Sequence, residues 1–325
     1  MRGPDNPPMH LLIPFASALS EAATQVLRDL SLPQLERCLA RLTPTTRDEA
    51  EATTLLPPHE RALAAAWGWG SGDEDEDEDH NTHFPFAAQA AVADGVDVGD
   101  LAWGLITPAH WLVGRDHVVL ADPDALQLDA TESRALFDAV RELFESEGFT
   151  LAWGAPMRWY AAHERLAGLA CASLDRAIGR NVQPWLPKPP HARLLRRLQS
   201  EVQLLLYPHP INEAREQRGA LSVNSFWLSG CGRHQPADTD AVQVDDRLRA
   251  PLLAEDWAGW AEAWRALDAG ALASLMQRAL AGEAVSLTLC GERAAQRFDN
   301  LPRSLGQRLA EHWKPSHLHS MLEGL

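Results

Sequence analysis

No C-x-x-C pair occurs in this chain, and its four cysteines, Cys38, Cys171, Cys231 and Cys290, are widely scattered. That spacing excludes a zinc ribbon and a thioredoxin-type motif, both of which need paired thiols. A reduced, cytoplasmic protein is the simplest expectation, since disulfides persist mainly in oxidising compartments. No apolar run approaches the ~20 residues that span a bilayer, so no membrane association is expected. The opening stretch, MRGPDNPPMHLLIPF, has no apolar region of signal-peptide length, and residues 1–8 are expected to be a frayed extension. Basic charge is scarce: Lys and Arg total 29 against 45 Asp and Glu, a formal net charge of −16. Such a surface repels nucleic acid and anionic lipid unless basic residues cluster. The one cluster found, Arg193, Arg196 and Arg197, reads as a solvated helix face. No helix-turn-helix with a basic recognition helix is evident, so no nucleic-acid partner is expected.

What is present is globular. At 325 residues, 46% hydrophobic and 23% charged, the chain is long enough for one large domain or two ordinary ones. Seven negative charges sit in one run, Asp73 to Asp79, leaving −9 for the rest. Adjacent acids repel one another and do not pack, so 70–83 is expected to be a disordered acidic loop. Loose cation binding with His80 and His83 is the functional alternative, without the glycine and alternate spacing of a calcium loop.

Along the chain, His10–Pro14 reads as a buried parallel strand. Helices are predicted over Ser20–Leu30, from Pro33 to about Leu42, and over Glu60–Trp67. Strands follow at Leu105–Thr107, Val118–Leu120 and Phe149–Trp153. Between the last two lies a helix opened by an Asp129/Glu132 capping box and closed by Gly148. This stretch reads as a small α+β domain, followed by a stiff connection through Pro184, Pro187, Pro189 and Pro190. Ala192–Tyr207 is an amphipathic helix, and Asp256–Arg265 another, with Trp257, Trp260 and Trp264 as a packing face. Ala271–Leu280 continues helical, Val285–Cys290 reads as a buried strand, and Ser304–His312 as a closing helix.

The densest chemistry lies in Leu204–Arg233, LLLYPHPINEAREQRGALSVNSFWLSGCGR. His209, Asn212, Arg215 and Asn224 are the candidate ligand-binding residues, because a guanidinium fork with neighbouring polar groups suits a phosphate or carboxylate. The bland alternative for His209, flanked by prolines, is a hydrogen-bonded turn residue. Ser225 lacks the G-x-S-x-G context of a nucleophile elbow. Asp122 and Asp124 read as a turn, and His312, His317 and His319 as part of a solvent-exposed tail rather than a metal site.

This HPIN segment resembles one in archaeal-type cofactor-independent phosphoglycerate mutases, of the alkaline-phosphatase-like superfamily. Further stretches match in order: LLIPF, LPQLERCLARL, LPPHERALAAAWGW, LAWGLITP and SLDRAIGRNVQPWLP. The whole is similar to the RpfE-type regulatory proteins, a metal-ligand-poor relation. The resemblance implies an α/β, alkaline-phosphatase-like core with a mainly parallel sheet and an inserted small α+β domain. The expected limits are 1–101 for the first part of the core, 102–190 for the insert and 191–325 for the second part.

Such mutases move a phosphoryl group through a phosphoserine held by two metal ions. The resemblance places the first metal carboxylate at Phe15, the nucleophile near His59-Glu60, and a late Asp-His motif at Cys290–Ala294. None of these positions keeps the required residue type. The expectation is therefore a non-catalytic regulatory or binding protein, with no catalytic residue, metal ligand or cofactor assigned. Its partner would be a protein or a small phosphorylated metabolite. The alternative is a divergent phosphoglycerate mutase or metal-dependent phosphohydrolase.

Overall fold

The computed structural model describes residues 9–49, 51–70, 83–188, 192–301 and 318–325. Its strands, in chain order, are β1 (Met9–Ile13), β2 (Thr43–Glu49), β3 (Ala102–Ala109), β4 (Trp111–Val113), β5 (Val118–Leu120), β6 (Thr150–Ala155), β7 (Arg158–Ala162), β8 (Ser225–Arg233), β9 (Gln243–Val244), β10 (Val285–Cys290) and β11 (Ala294–Asp299). The chain forms two compact units. One comprises Met1–Thr53, Pro57–Gly68 and Asp238–Leu325, and the other Thr54–Leu56 and Trp69–Ala237. The second is wider than the 102–190 expected, because β8 pairs with β3 and the Phe86–Ala93 helix packs beside Gly230 of β8.

The first unit has the α/β character expected. Its sheet runs β2-β11-β10-β1-β9, with β1 parallel to both β10 and β9. The parallel heart is extended by β11 and β2, each antiparallel to its neighbour. Apart from His10, β1 is apolar and buried on both faces, as suits a strand covered on two sides. Leu11 and Ile13 join a core with Leu27, Leu35, Trp260, Trp264 and Leu275. Leu12 joins Cys290 and the Pro58–Ala66 helix through Ala62 and Leu63. Ser20 caps the Glu21–Asp29 helix by accepting from the Ala23 amide. The Pro33–Arg41 helix has no cap of its own; buried Asp268 supplies it, accepting from the Leu35 and Gln34 amides at 2.8 and 3.2 Å.

His10 joins β1 to β10 through a 2.8 Å hydrogen bond between its Nε2 and Thr288 Oγ1. Burial, with Arg297 nearby, lowers its pKa from 6.5 to about 4. The native imidazole is thus neutral where the unfolded chain begins to take up a proton. Its contribution is complete above pH 6.5 and is lost as the pH falls towards 4. The loss over that window is about 3 kcal/mol. Unfolding followed between these limits should show His10→Gln with a flatter pH dependence; parallel curves for the two proteins would refute the assignment.

One feature corrects the expectations. Leu318–Glu323 is a helix whose Leu318 and Leu322 lie in the first unit's core, so 318–325 is not a solvent-exposed tail. Apolar spacing on a short terminal turn seats it there. His312 and His317, the predicted Ser304–His312 helix and most of the acidic loop (71–82) lie outside the described residues.

The second unit is built on an antiparallel sheet, β6-β7-β3-β8, with β4 and β5 paired separately. On one face Ala102 and Ile106 pack with Leu136, Val140 and Phe144 of the Ala130–Ser146 helix and with Leu198 and Val202 of the Ala192–Leu206 helix. On the other, Trp103, Tyr160 and Ala162 meet Ala88 and Ala91 of the Phe86–Ala93 helix. That helix approaches β8 closely: a Cβ on Gly230, at φ +62°, would lie 2.8 Å from the Ala87 nitrogen. Conformation and space both demand glycine there. Asp129 caps the Ala130–Ser146 helix by accepting from Thr131 and Glu132 amides. The predicted capping box is half made, since the Glu132 carboxylate instead pairs with Arg215 and Arg218.

Candidate functional site

In the first unit, the parallel strands β1 and β10 end side by side, and the Ala16 amide donates to the Cys290 carbonyl at 2.8 Å. The two stretches that the sequence pairs with metal-ligand motifs therefore meet. Neither presents an Asp or a His. Phe15 adopts φ +58°, a left-handed conformation that bulky residues rarely take. Its ring lies 4.9 Å from that of His59, at the start of the Pro58–Ala66 helix. Its carbonyl accepts from Trp260 Nε1 at 3.2 Å. Cys290 is fully buried, and burial pushes its thiol well above the usual range. A metal-binding cysteine must be a thiolate. The single carboxylate within 14–19 and 290–294, Glu292, accepts from the Leu19 amide at 3.2 Å. Hard divalent ions take clustered oxygen ligands. These strand ends do not fit the pair of ions that the mutase resemblance implies.

The HPIN segment lies in the second unit and turns inward. His209 caps the Pro210–Gln217 helix, its Nδ1 accepting from the Ile211 amide at 3.2 Å, and burial lowers its pKa. Asn212 is buried and donates to the Leu206 and Val223 carbonyls, each at 2.8 Å. Its Oδ1 accepts from the Val223 amide at 2.8 Å. Arg215, 0% exposed, donates to the Leu221 carbonyl, the Leu126 carbonyl and Glu132. Asn224 pairs with both backbone groups of Trp111, at 2.7 and 3.0 Å. The four residues named from sequence thus share one neighbourhood. Their polar atoms hold the Pro210–Gln217 helix, β4 and the Ala130–Ser146 helix together. Asn212 and Arg215 are enclosed by the chain's own backbone.

Sequence reasoning passed over two features of this unit. Asp94 accepts from Arg158 at 2.9 and 2.8 Å and from the Tyr160 hydroxyl at 2.6 Å. The Arg158 hydrogen bond holds its carboxyl below the usual range. A Cβ on Gly154 would fall 2.2 Å from Asp94 Oδ2, so a strand glycine was the only sequence signal. The second feature is a groove of about 760 Å³ whose lining includes Phe149, Leu166, Leu169 and Leu195 with Arg165, Arg193 and Arg197. Arg197 pairs with Glu147, while Arg165 and Arg193 are exposed. Two members of the basic cluster seen in the sequence therefore border this groove, which Glu147 also lines.

A mixed α/β scaffold with a parallel heart is the class these observations define. No protein-family model matches the chain. By sequence it is similar to a probable 2,3-bisphosphoglycerate-independent phosphoglycerate mutase of Geobacter sulfurreducens, 26% identical over 146 residues. The match covers 44% of this chain and 36% of that protein, so it spans about a third of the relative's length. Among solved structures, a cofactor-independent phosphoglycerate mutase from Thermoplasma acidophilum has a TM-score of 0.34 at 13% identity, covering 98% of this chain and 99% of that one. A Pyrococcus horikoshii protein has a TM-score of 0.45 at 13% identity, with coverage of 90% and 87%. The sequence likeness to a cofactor-independent phosphoglycerate mutase is thus confined to under half of this chain.

Proposed function

We propose that this protein is a non-catalytic binding protein, regulatory in role, on a phosphoglycerate-mutase-like scaffold. The observation that carries the proposal is Phe15. It stands at the strand end where the resemblance calls for a carboxylate, its ring against His59 and its carbonyl fixed by Trp260. A phenyl ring donates no lone pair to a cation, and PPHER, where the resemblance places the nucleophile, holds no serine to supply an alkoxide. The scaffold's phosphate affinity is retained elsewhere in this reading. A small phosphorylated metabolite is seated in the groove of the second unit, on Phe149 and Leu195, with its anion on Arg165 and Arg193.

The test uses metal-stripped protein supplied in turn with Mn2+, Mg2+ and Zn2+, assayed for interconversion of 3- and 2-phosphoglycerate. No turnover is expected with any ion. Metal-dependent turnover lost on mutating His59 and Glu60 would establish the divergent mutase instead. Calorimetry with 3-phosphoglycerate should give binding that weakens about tenfold in Arg193→Ala or Arg165→Ala. Unchanged affinity in both variants would remove the groove from the proposal.

A further inference from the structure

Two cysteines separated by 60 residues meet inside the second unit, with Cys171 Sγ and Cys231 Sγ 3.5 Å apart. Both are buried. Cys231 lies in β8; Cys171 lies in the stretch leading to the Leu174–Ala177 helix. Independent contacts fix that stretch. The Ser173 amide donates to the Leu55 carbonyl at 3.0 Å, and Trp227 Nε1, from β8 itself, donates to the Ala172 carbonyl at 3.0 Å. β8 therefore grips the segment twice, once through Trp227 and once beside the sulfurs. Both cysteines line a narrow cavity shared with Leu55, His83, Phe84 and Gly230. Gly104 leaves room for the Cys231 sulfur, which a Cβ there would approach to 3.0 Å. Cys38 and Cys290 are also buried, and Cys38 Sγ donates to the Leu272 carbonyl at 3.7 Å.

We infer that Cys171 and Cys231 form an oxidative modification site, closed to a disulfide by a small hydroperoxide such as hydrogen peroxide. The peroxide O–O bond breaks as one oxygen passes to the Cys171 sulfur, giving a sulfenic acid and one water. The Cys231 sulfur then attacks. An S–S bond forms, the S–O bond breaks, and the hydroxyl leaves with the Cys231 proton as a second water. Two thiols lose two electrons and one peroxide gains them. Cys171 reacts first because it is the more exposed, at 7% against 2%. The hydrogen bond to Cys171, together with burial, holds Cys231 as the thiol until a partner sulfur is oxidised. The bond ties β8 to the 171–173 stretch, across sheet and loop, and closes a long loop in the unfolded chain.

The experiment exposes the full-length protein to hydrogen peroxide, quenches, denatures and alkylates it, and maps peptides by mass spectrometry. The expected product is one cross-linked peptide pair containing Cys171 and Cys231, two hydrogens lighter than the reduced pair, with Cys38 and Cys290 fully alkylated. Oxidation should also raise the unfolding midpoint of the wild-type protein and leave Cys171→Ser and Cys231→Ser unmoved. Four alkylated cysteines after oxidation, or Cys171 carried to a sulfinic acid beside an alkylated Cys231, would overturn the inference. The wild-type map decides this even where a variant folds poorly.

Discussion

Arg215→Ala lowers the thermal unfolding midpoint of the second unit by roughly 10 °C, the size that ~3–5 kcal/mol produces in a unit of this length. The guanidinium is wholly enclosed and makes three separate connections, to Leu221, Leu126 and Glu132. Truncation leaves Glu132 without its buried partner and two carbonyls without donors. Glu132 then keeps only the half-exposed Arg218, and the loss of an enclosed partner from a buried charge costs far more than an exposed pair gains. Arg218 provides the control. It meets the same carboxylate, but its side chain is 50% exposed, and solvent screening limits its loss to about 1 kcal/mol or less. Thermal melts of both variants test the contrast. Equal midpoints for Arg215→Ala and Arg218→Ala would show that the HPIN arginine is not a clamp. The same pair of variants separates structure from recognition: a ligand-contacting arginine would lose binding and leave the melt in place.

That segment shows what the sequence could and could not disclose. The cluster of His209, Asn212, Arg215 and Asn224 was legible as a set, and the fold brings it together. Its direction was not legible. Whether a guanidinium faces solvent or backbone depends on Leu126 and Glu132, 89 and 83 residues away. β1 and β10 were readable because apolar runs bury both faces of a parallel strand. β2, with the sequence TPTTRDE, was not; it is an exposed edge held by pairing to β11, where Pro44 is tolerated. The Trp257, Trp260, Trp264 stripe was readable from helical spacing; Trp260 and Trp264 are buried and Trp257 packs against them, partly buried. The nearness of Cys171 and Cys231 had no trace in their spacing, because it arises from β8 joining the sheet beside β3.

Trp260→Ala is expected to destabilise the first unit by about 3–5 kcal/mol, as removal of a fully buried indole does. Trp260 is 0% exposed, and its ring meets Trp257 at 6.2 Å and Trp264 at 6.5 Å, both edge-on. The indole has a second task. Its Nε1 holds the carbonyl of Phe15, a residue whose left-handed backbone costs ~1–3 kcal/mol to maintain. Trp260→Phe separates the two roles. It keeps most of the apolar volume and removes the donor, at about 1–2 kcal/mol. Denaturant unfolding gives the energies. Hydrogen exchange of the Ala16 amide, which bonds Cys290, reports whether the strand end loosens. Faster exchange is expected in Trp260→Phe, even where its stability loss is small. Exchange unchanged from wild type would mean that β1 and β10 hold Phe15 unaided. In that case the tryptophan stripe is core alone, and the conformation at the strand end follows from the sheet rather than from the helix behind it.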